Sequence, residues 1–135
     1  MLNLNQIKFY GYSICNGQSK AAKQELENLS PQQVADEMKK DDVVVIDICE
    51  ANELKETGKI RGSVHAPHGM LEFYADPSLP YYKPEFEADK KIILHCASGG
   101  KSALATQTLK QVGYTNVAHM DGGLKAWKEN NLTRE

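Results

Sequence analysis

Two uninterrupted apolar runs divide the chain: Val43-Val44-Val45-Ile46, ending at Asp47, and Ile92-Ile93-Leu94, ending at His95 and Cys96. Neither alternates with polar residues, so each is expected to be a central strand covered on both faces. Helical signals surround them. Ser30-Pro31-Gln32-Gln33 is a capping box with proline at the first helical position, and Val34, Ala35 and Met38 supply an apolar face, which predicts a helix over 31–40. Glu50 to Thr57 predicts a second helix stopped by Gly58, followed by a glycine turn at Gly62 and a short strand, Ser63 to Ala66. Lys101 to Val112 predicts a third helix, with Ala105, Leu109 and Val112 on one face and Gly113 as its stop. Val117 to Met120 is expected as a last strand, and Gly123 to Asn130 as a last helix burying Leu124 and Trp127.

Two stretches do not fit this alternation. Gly69 to Asp89 holds Pro77, Pro80 and Pro84 among Phe73, Tyr74, Tyr81, Tyr82 and Phe86. Prolines in that number break regular elements and aromatics in that number resist solvation, so a structured cover loop is expected. Its aromatics either roof a site or simply fill the surface beside the sheet. In residues 1–26, Ile7, Phe9, Tyr12 and Ile14 suggest a short strand that Gly11, Asn16, Gly17 and Ser19 interrupt. That region is expected to be an N-terminal extension, mobile or packed on the domain, and residues 27–135 to form the domain. Strands alternating with helices argue for an α/β fold with a parallel sheet and helices on both faces. In such sheets ligands gather at the carboxyl ends of the strands, where Asp47, the Ala66–His68 corner and Cys96 fall.

Composition narrows the partners. The 135 residues, 41% hydrophobic and 25% charged, suit one globular domain, and sixteen Lys and Arg against eighteen Asp and Glu leave a net charge of -2 without a basic arm. Nucleic acid is therefore not an expected partner. Residues 1–14 lack the apolar run of a signal peptide or a membrane span, and Cys15, Cys49 and Cys96 are too far apart for a C-x-x-C motif. A cytoplasmic protein without membrane contact is expected.

The chemistry concentrates after the second apolar run, in Cys96-Ala97-Ser98-Gly99-Gly100-Lys101-Ser102. A cysteine at a strand end, two glycines and a helix start carrying a cation and a hydroxyl make a place for a thiolate inside an anion cradle. Gly99 and Gly100 are expected to allow the φ values that turn amides inward.

Four motifs then occur in one order. Val45-Ile46-Asp47-Ile48 is followed by Glu50 and Glu53, and Gly58 to Pro67 by the Cys96–Ser102 loop. Gly113-Tyr114, Asn116-Val117, Gly122-Gly123-Leu124 and Ala126-Trp127 close the series. On these residues the chain from about Leu29 to Trp127 resembles a single-domain rhodanese, a sulfurtransferase module. The resemblance implies a five-stranded parallel sheet between helices, with a short first strand just before Ser30. It also implies that Cys96 takes a sulfane sulfur from a small anionic donor, thiosulfate-like or 3-mercaptopyruvate-like. The sulfur is held as a persulfide and passed to a thiol, a protein thiol or cyanide, with no cofactor. Ala97, Ser98, Gly99, Gly100, Lys101 and Ser102 would form the substrate cradle.

Three positions depart from the common pattern: Ala97 and Lys101 stand where arginines are usual in the loop, and Cys49 follows the Asp47 signature in place of another. Lysine keeps the charge without the planar bidentate fork. Rhodanese-like phosphatases and arsenate reductases show five residues between Cys and Arg, whereas here four separate Cys96 from Lys101 and Ser102 stands at the arginine position.

Other side chains carry two readings each. Asp47 either orients the loop through backbone N–H groups or caps the helix that follows it. Cys49 either resolves a modified Cys96 as a disulfide or is a semi-buried thiol out of reach. His65, His68 and His95 are expected to pack or hydrogen-bond rather than hold a metal, since no pair has ligand spacing. For the whole chain, the alternative to the enzyme is a non-catalytic rhodanese-like module that binds a partner or senses redox state.

Overall fold

A computed structural model of the chain describes residues 20–130 and residue 132. The strand suggested around Ile7 to Ile14, and Cys15, lie outside the described residues. Five strands form one parallel sheet: β1 (Glu27–Leu29), β2 (Val43–Asp47), β3 (Val64–His65), β4 (Lys91–His95) and β5 (Val117–Met120), in spatial order β1-β5-β4-β2-β3. The helices are α1 (Pro31–Glu37), α2 (Ala51–Thr57), α3 (Leu71–Tyr74), α4 (Gly100–Val112) and α5 (Gly123–Glu129), with a 3-10 turn at His68–Met70 before α3. Residues 20–24 are also helical, and Ala22 is buried.

Apolar residues on both faces explain why β2 and β4 sit centrally. Ile46, Ile92 and Leu94 face one cluster with Leu71, Ala75, Phe86, Ala105, Leu109 and Tyr114. Val45 and Ile93 face the other, with Val34, Ala118, Met120, Leu124 and Trp127. Thus α3 and α4 cover one face while α1 and α5 cover the other. From β2 the chain moves outward through α2 to β3, and from β4 it moves the opposite way through α4 to β5. The crevice between the carboxyl ends of β2 and β4 is therefore the topological switch point, where open α/β sheets place their ligands.

Local signals act as their chemistry dictates. Ser30 Oγ accepts the Gln33 N–H at 3.2 Å, and the Gln33 side chain accepts the Ser30 N–H at 2.8 Å. The helix this box starts is shorter than the sequence suggests: α1 ends at Glu37 and turns fill 38–42. In α4 the inward face is Ser102, Ala103, Ala105, Thr106 and Leu109, and Val112, expected inside, is 47% exposed. Hydroxyls can occupy this buried face because they bond backward along the helix, as Thr106 Oγ1 does to the Ser102 carbonyl at 2.7 Å.

The proline-rich stretch is an ordered cover anchored from below. Tyr114 donates its hydroxyl to the Ala75 carbonyl at 2.6 Å, and Tyr82 donates to the Phe86 carbonyl at 2.8 Å. Phe86 is core, meeting Tyr114 edge-to-face at 6.4 Å. Phe73 and Tyr81 form a second edge-to-face pair on the outside, so the aromatics divide between filling and surface.

Candidate functional site

Cys96 leaves the end of β4 and is 2% exposed. Its Sγ accepts the Gly99 N–H at 3.1 Å and the Ser102 N–H at 3.4 Å. Both donors belong to the turn that opens α4, so the positive end of a thirteen-residue helix is aimed at the sulfur. Ala97, Ser98 and Lys101 are exposed at the rim, while Gly99 and Ser102 are buried behind it.

Inward-facing amides require outward-facing carbonyls, and α5 receives these. Leu124 N–H donates to the Cys96 carbonyl at 2.8 Å and Lys125 N–H to the Ala97 carbonyl at 3.0 Å. This contact is so close that a Cβ on Gly123, at φ 62°, would lie 2.6 Å from the Cys96 and Ala97 backbone. Gly99 turns the loop at φ 99°. Gly100 does not share that role: its φ is not positive, and it is simply the first helical residue of α4.

Lys101 extends over the rim to Glu53 of α2, Nζ to Oε1 3.7 Å, with its side chain 59% exposed. The loop cation is thus shared with a carboxylate in a solvated pair. On the far side of the loop a second cation, Lys23, pairs with Asp121 at 3.0 Å and holds that carboxyl below the usual range, first through the hydrogen bond itself.

Asp47 neither caps α2 nor touches the Cys96 loop through a backbone N–H among the bonds resolved. Its Oδ1 accepts the Cys49 N–H at 2.9 Å, while α2 is capped by Glu50 with Glu53. Its other oxygen faces His95 Nε2 at 3.7 Å, beyond hydrogen-bond length, and both groups are fully buried. Burial pushes the His95 pKa down, against the pull of the Asp47 charge. Desolvation favours the neutral imidazole.

Cys49 is also buried, and its thiol is pushed well up, by burial first and then by Asp47, Glu53 and Cys96. It is a protonated thiol next to the site. His65 Nε2 donates to the Cys49 carbonyl at 2.6 Å, tying β3 to the end of β2, and His68 is exposed at the start of its 3-10 turn. Among the described residues no three His, Cys, Asp or Glu side chains gather as a metal site would require. Nor, among them, is any helix long and apolar enough to cross a membrane.

Sequence reasoning overlooked one group behind the loop: Ser102 Oγ lies 3.1 Å from His119 Nδ1, and His119 Nε2 lies 2.6 Å from Asn28 Oδ1. The available signal was a histidine inside Val117-Ala118-His119-Met120, a strand otherwise apolar and buried.

A family model described as Rhodanese-like domain matches residues 30–130. The chain belongs to the rhodanese-like domain family. Among similar members, the thiosulfate sulfurtransferase GlpE of Pseudoalteromonas translucida is 32% identical over 75% of this chain and 88% of its own length. An uncharacterized Bacillus subtilis protein, YqhL, is 34% identical over 62% of this chain, which spans only 59% of that relative. A solved structure from Rhodopseudomonas palustris, titled a protein of unknown function and possible tyrosine phosphatase, has a TM-score of 0.83. It is 37% identical to this rhodanese-like chain, covering 90% of it and 93% of its own chain. The five-stranded parallel sheet and the short strand before Ser30 that the resemblance implied are both present in the structure.

Proposed function

We propose that the protein is a sulfurtransferase that moves a sulfane sulfur from a small anionic donor to a thiol or cyanide through a persulfide on Cys96. The observation that carries this reading is the Cys96 sulfur held by the Gly99 and Ser102 amides at the start of α4. The Cys96 thiolate attacks the outer sulfur of a thiosulfate-like donor. One S–S bond forms at Cys96 while the donor's breaks, and its electron pair leaves on sulfite. Sulfite is stable as an anion, so the step needs oriented N–H groups rather than a general acid. An acceptor thiolate then attacks the outer persulfide sulfur, and the Cys96 thiolate leaves, restoring the resting state.

Ala97 and Ser98 stand at the exposed rim where donor and acceptor would arrive, and Lys101 adds positive charge there. With Lys101 tied to Glu53 and no arginine fork in the loop, the cradle relies mainly on backbone amides. That arrangement suits a weakly selective sulfur donor site better than a phosphatase. Phosphoryl transfer also calls for a general acid on its leaving group, and none stands in the Cys96–Ser102 loop.

Incubation with thiosulfate or 3-mercaptopyruvate followed by intact mass tests the reading. Wild type is expected to gain one sulfur that a further thiol removes, and Cys96→Ser to gain none. No Cys96-dependent sulfur from either donor would overturn it in favour of a non-catalytic module, and Cys96-dependent hydrolysis of an aryl phosphate without sulfur uptake would favour the phosphatase.

A further inference from the structure

We infer that Asn28, His119 and Ser102 form a hydrogen-bonded relay of positioning residues that braces the catalytic loop from behind and keeps its amides on the Cys96 sulfur. The inference rests on Cys96 as the nucleophile of the proposed function.

The register of the sheet sets the relay up. Asn28 and His119 are cross-strand partners in the three-residue pairing of β1 with β5, so the edge strand brings the amide directly against the imidazole. The Asn28 Nδ2 group donates to the Lys23 carbonyl at 2.8 Å and the Leu26 carbonyl at 3.0 Å, which commits both of its hydrogens. The atom facing His119 is therefore the acceptor Oδ1, and at 2.6 Å the His119 Nε2 must carry the proton.

A neutral ring protonated on Nε2 presents a lone pair on Nδ1. Neutrality holds because burial, and then the Lys23 charge, lower the His119 pKa to about 4, with Asp121 opposing them. The Nδ1 lone pair accepts the Ser102 hydroxyl at 3.1 Å. The competing acceptor, the Gly99 carbonyl, lies farther from Ser102 Oγ, at 3.3 Å, and donation to it would leave two lone pairs facing each other across the 3.1 Å contact between Ser102 and His119. Each proton in the relay thus has one assigned place. Ser102 is both the end of the relay and the owner of an amide on Sγ, so fixing its side chain fixes that amide.

The test measures alkylation of Cys96 by iodoacetamide at fixed pH, followed by peptide mapping, which requires no sulfur donor. A failure here is therefore distinguishable from a failure of sulfur uptake. His119→Leu removes both bonds and is expected to slow Cys96 alkylation about fivefold, the size of one lost hydrogen bond. His119→Asn places a carbonyl near the former Nδ1 and restores the Ser102 bond, so its rate returns to within about twofold of wild type. His119→Gln reaches towards Asn28 instead and stays as slow as the leucine variant. A purely structural histidine would move melting temperature without this ordering of rates. Equal rates in wild type and His119→Leu, or Asn and Gln variants that are equally slow, overturn the relay. If His119→Leu does not fold, nitrogen NMR of wild type decides: protonated Nε2 with bare Nδ1 supports the relay, and the opposite tautomer overturns it.

Discussion

Acidification should destabilise this protein through His119, and the size of the effect follows from its burial. An unfolded histidine titrates near 6.5, whereas in the folded chain the ring is fully buried and its pKa falls to about 4. The unfolded state therefore binds the extra proton first. Stability held above about pH 6.5 is lost as the pH falls towards 4, and the loss is complete once both states are protonated. The interval between those two values corresponds to about 3 kcal/mol, of which about 2 kcal/mol is already lost by about pH 5. His95, also held neutral by burial, contributes a loss of the same sign, so wild type alone does not isolate His119. Urea unfolding of wild type and His119→Asn at about pH 7.5 and about pH 5 does, because only wild type titrates at 119. The stability difference between the two proteins should change by about 2 kcal/mol across that interval, to the disadvantage of wild type at the acid end. Parallel stability profiles would refute the assignment of that loss to His119.

Gly123→Ala should destabilise by about 2–4 kcal/mol, because it combines a left-handed φ with a clash against the Cys96 and Ala97 backbone; a Tm within a degree or so of wild type would contradict the close contact. Lys101→Arg should change stability by less than about 0.5 kcal/mol, since its pair with Glu53 is solvated, while lowering the KM for thiosulfate; an unchanged KM at low salt would place residue 101 outside the donor site. Cys49 should stay unlabelled by iodoacetamide in the folded protein while Cys96 reacts, because burial and the Asp47 carboxylate keep its thiol protonated. Peptide mapping that finds Cys49 labelled as fast as Cys96 would reverse that view.

The elements that a reader of the sequence can place are those whose burial is apolar. The runs around Val45 and Ile93 announce themselves as two-faced strands, and the Ser30 capping box starts its helix where its chemistry requires. The Cys96 loop is legible for a related reason, since a cysteine, glycines and a helix start stand side by side in the chain. Polar burial is what hides the rest. The inward face of α4 includes Ser102 and Thr106, so an apolar periodicity selects Val112 instead, which the structure exposes. Ser102 and His119 meet only where α4 packs on β5, and Asn28, 91 residues before His119, joins them only once β1 lies beside β5. The role of Asp47 was equally out of reach, because its partners, the Cys49 amide and the His95 ring, depend on backbone turning and on a two-strand register.

The contact of α5 with the Cys96 and Ala97 carbonyls also sets an order of events during synthesis. Leu124 and Lys125 follow the cysteine by more than a full helix and strand, yet their amides hold the loop that shapes its surroundings. A growing chain that has exposed β4 and α4 but not α5 carries the cysteine without the scaffold that orients its neighbours. On the proposed reading an unfinished polypeptide lacks the assembled site, and a chain cut short before Gly123 would keep its thiol but lose the Leu124 and Lys125 amide bonds that hold the loop.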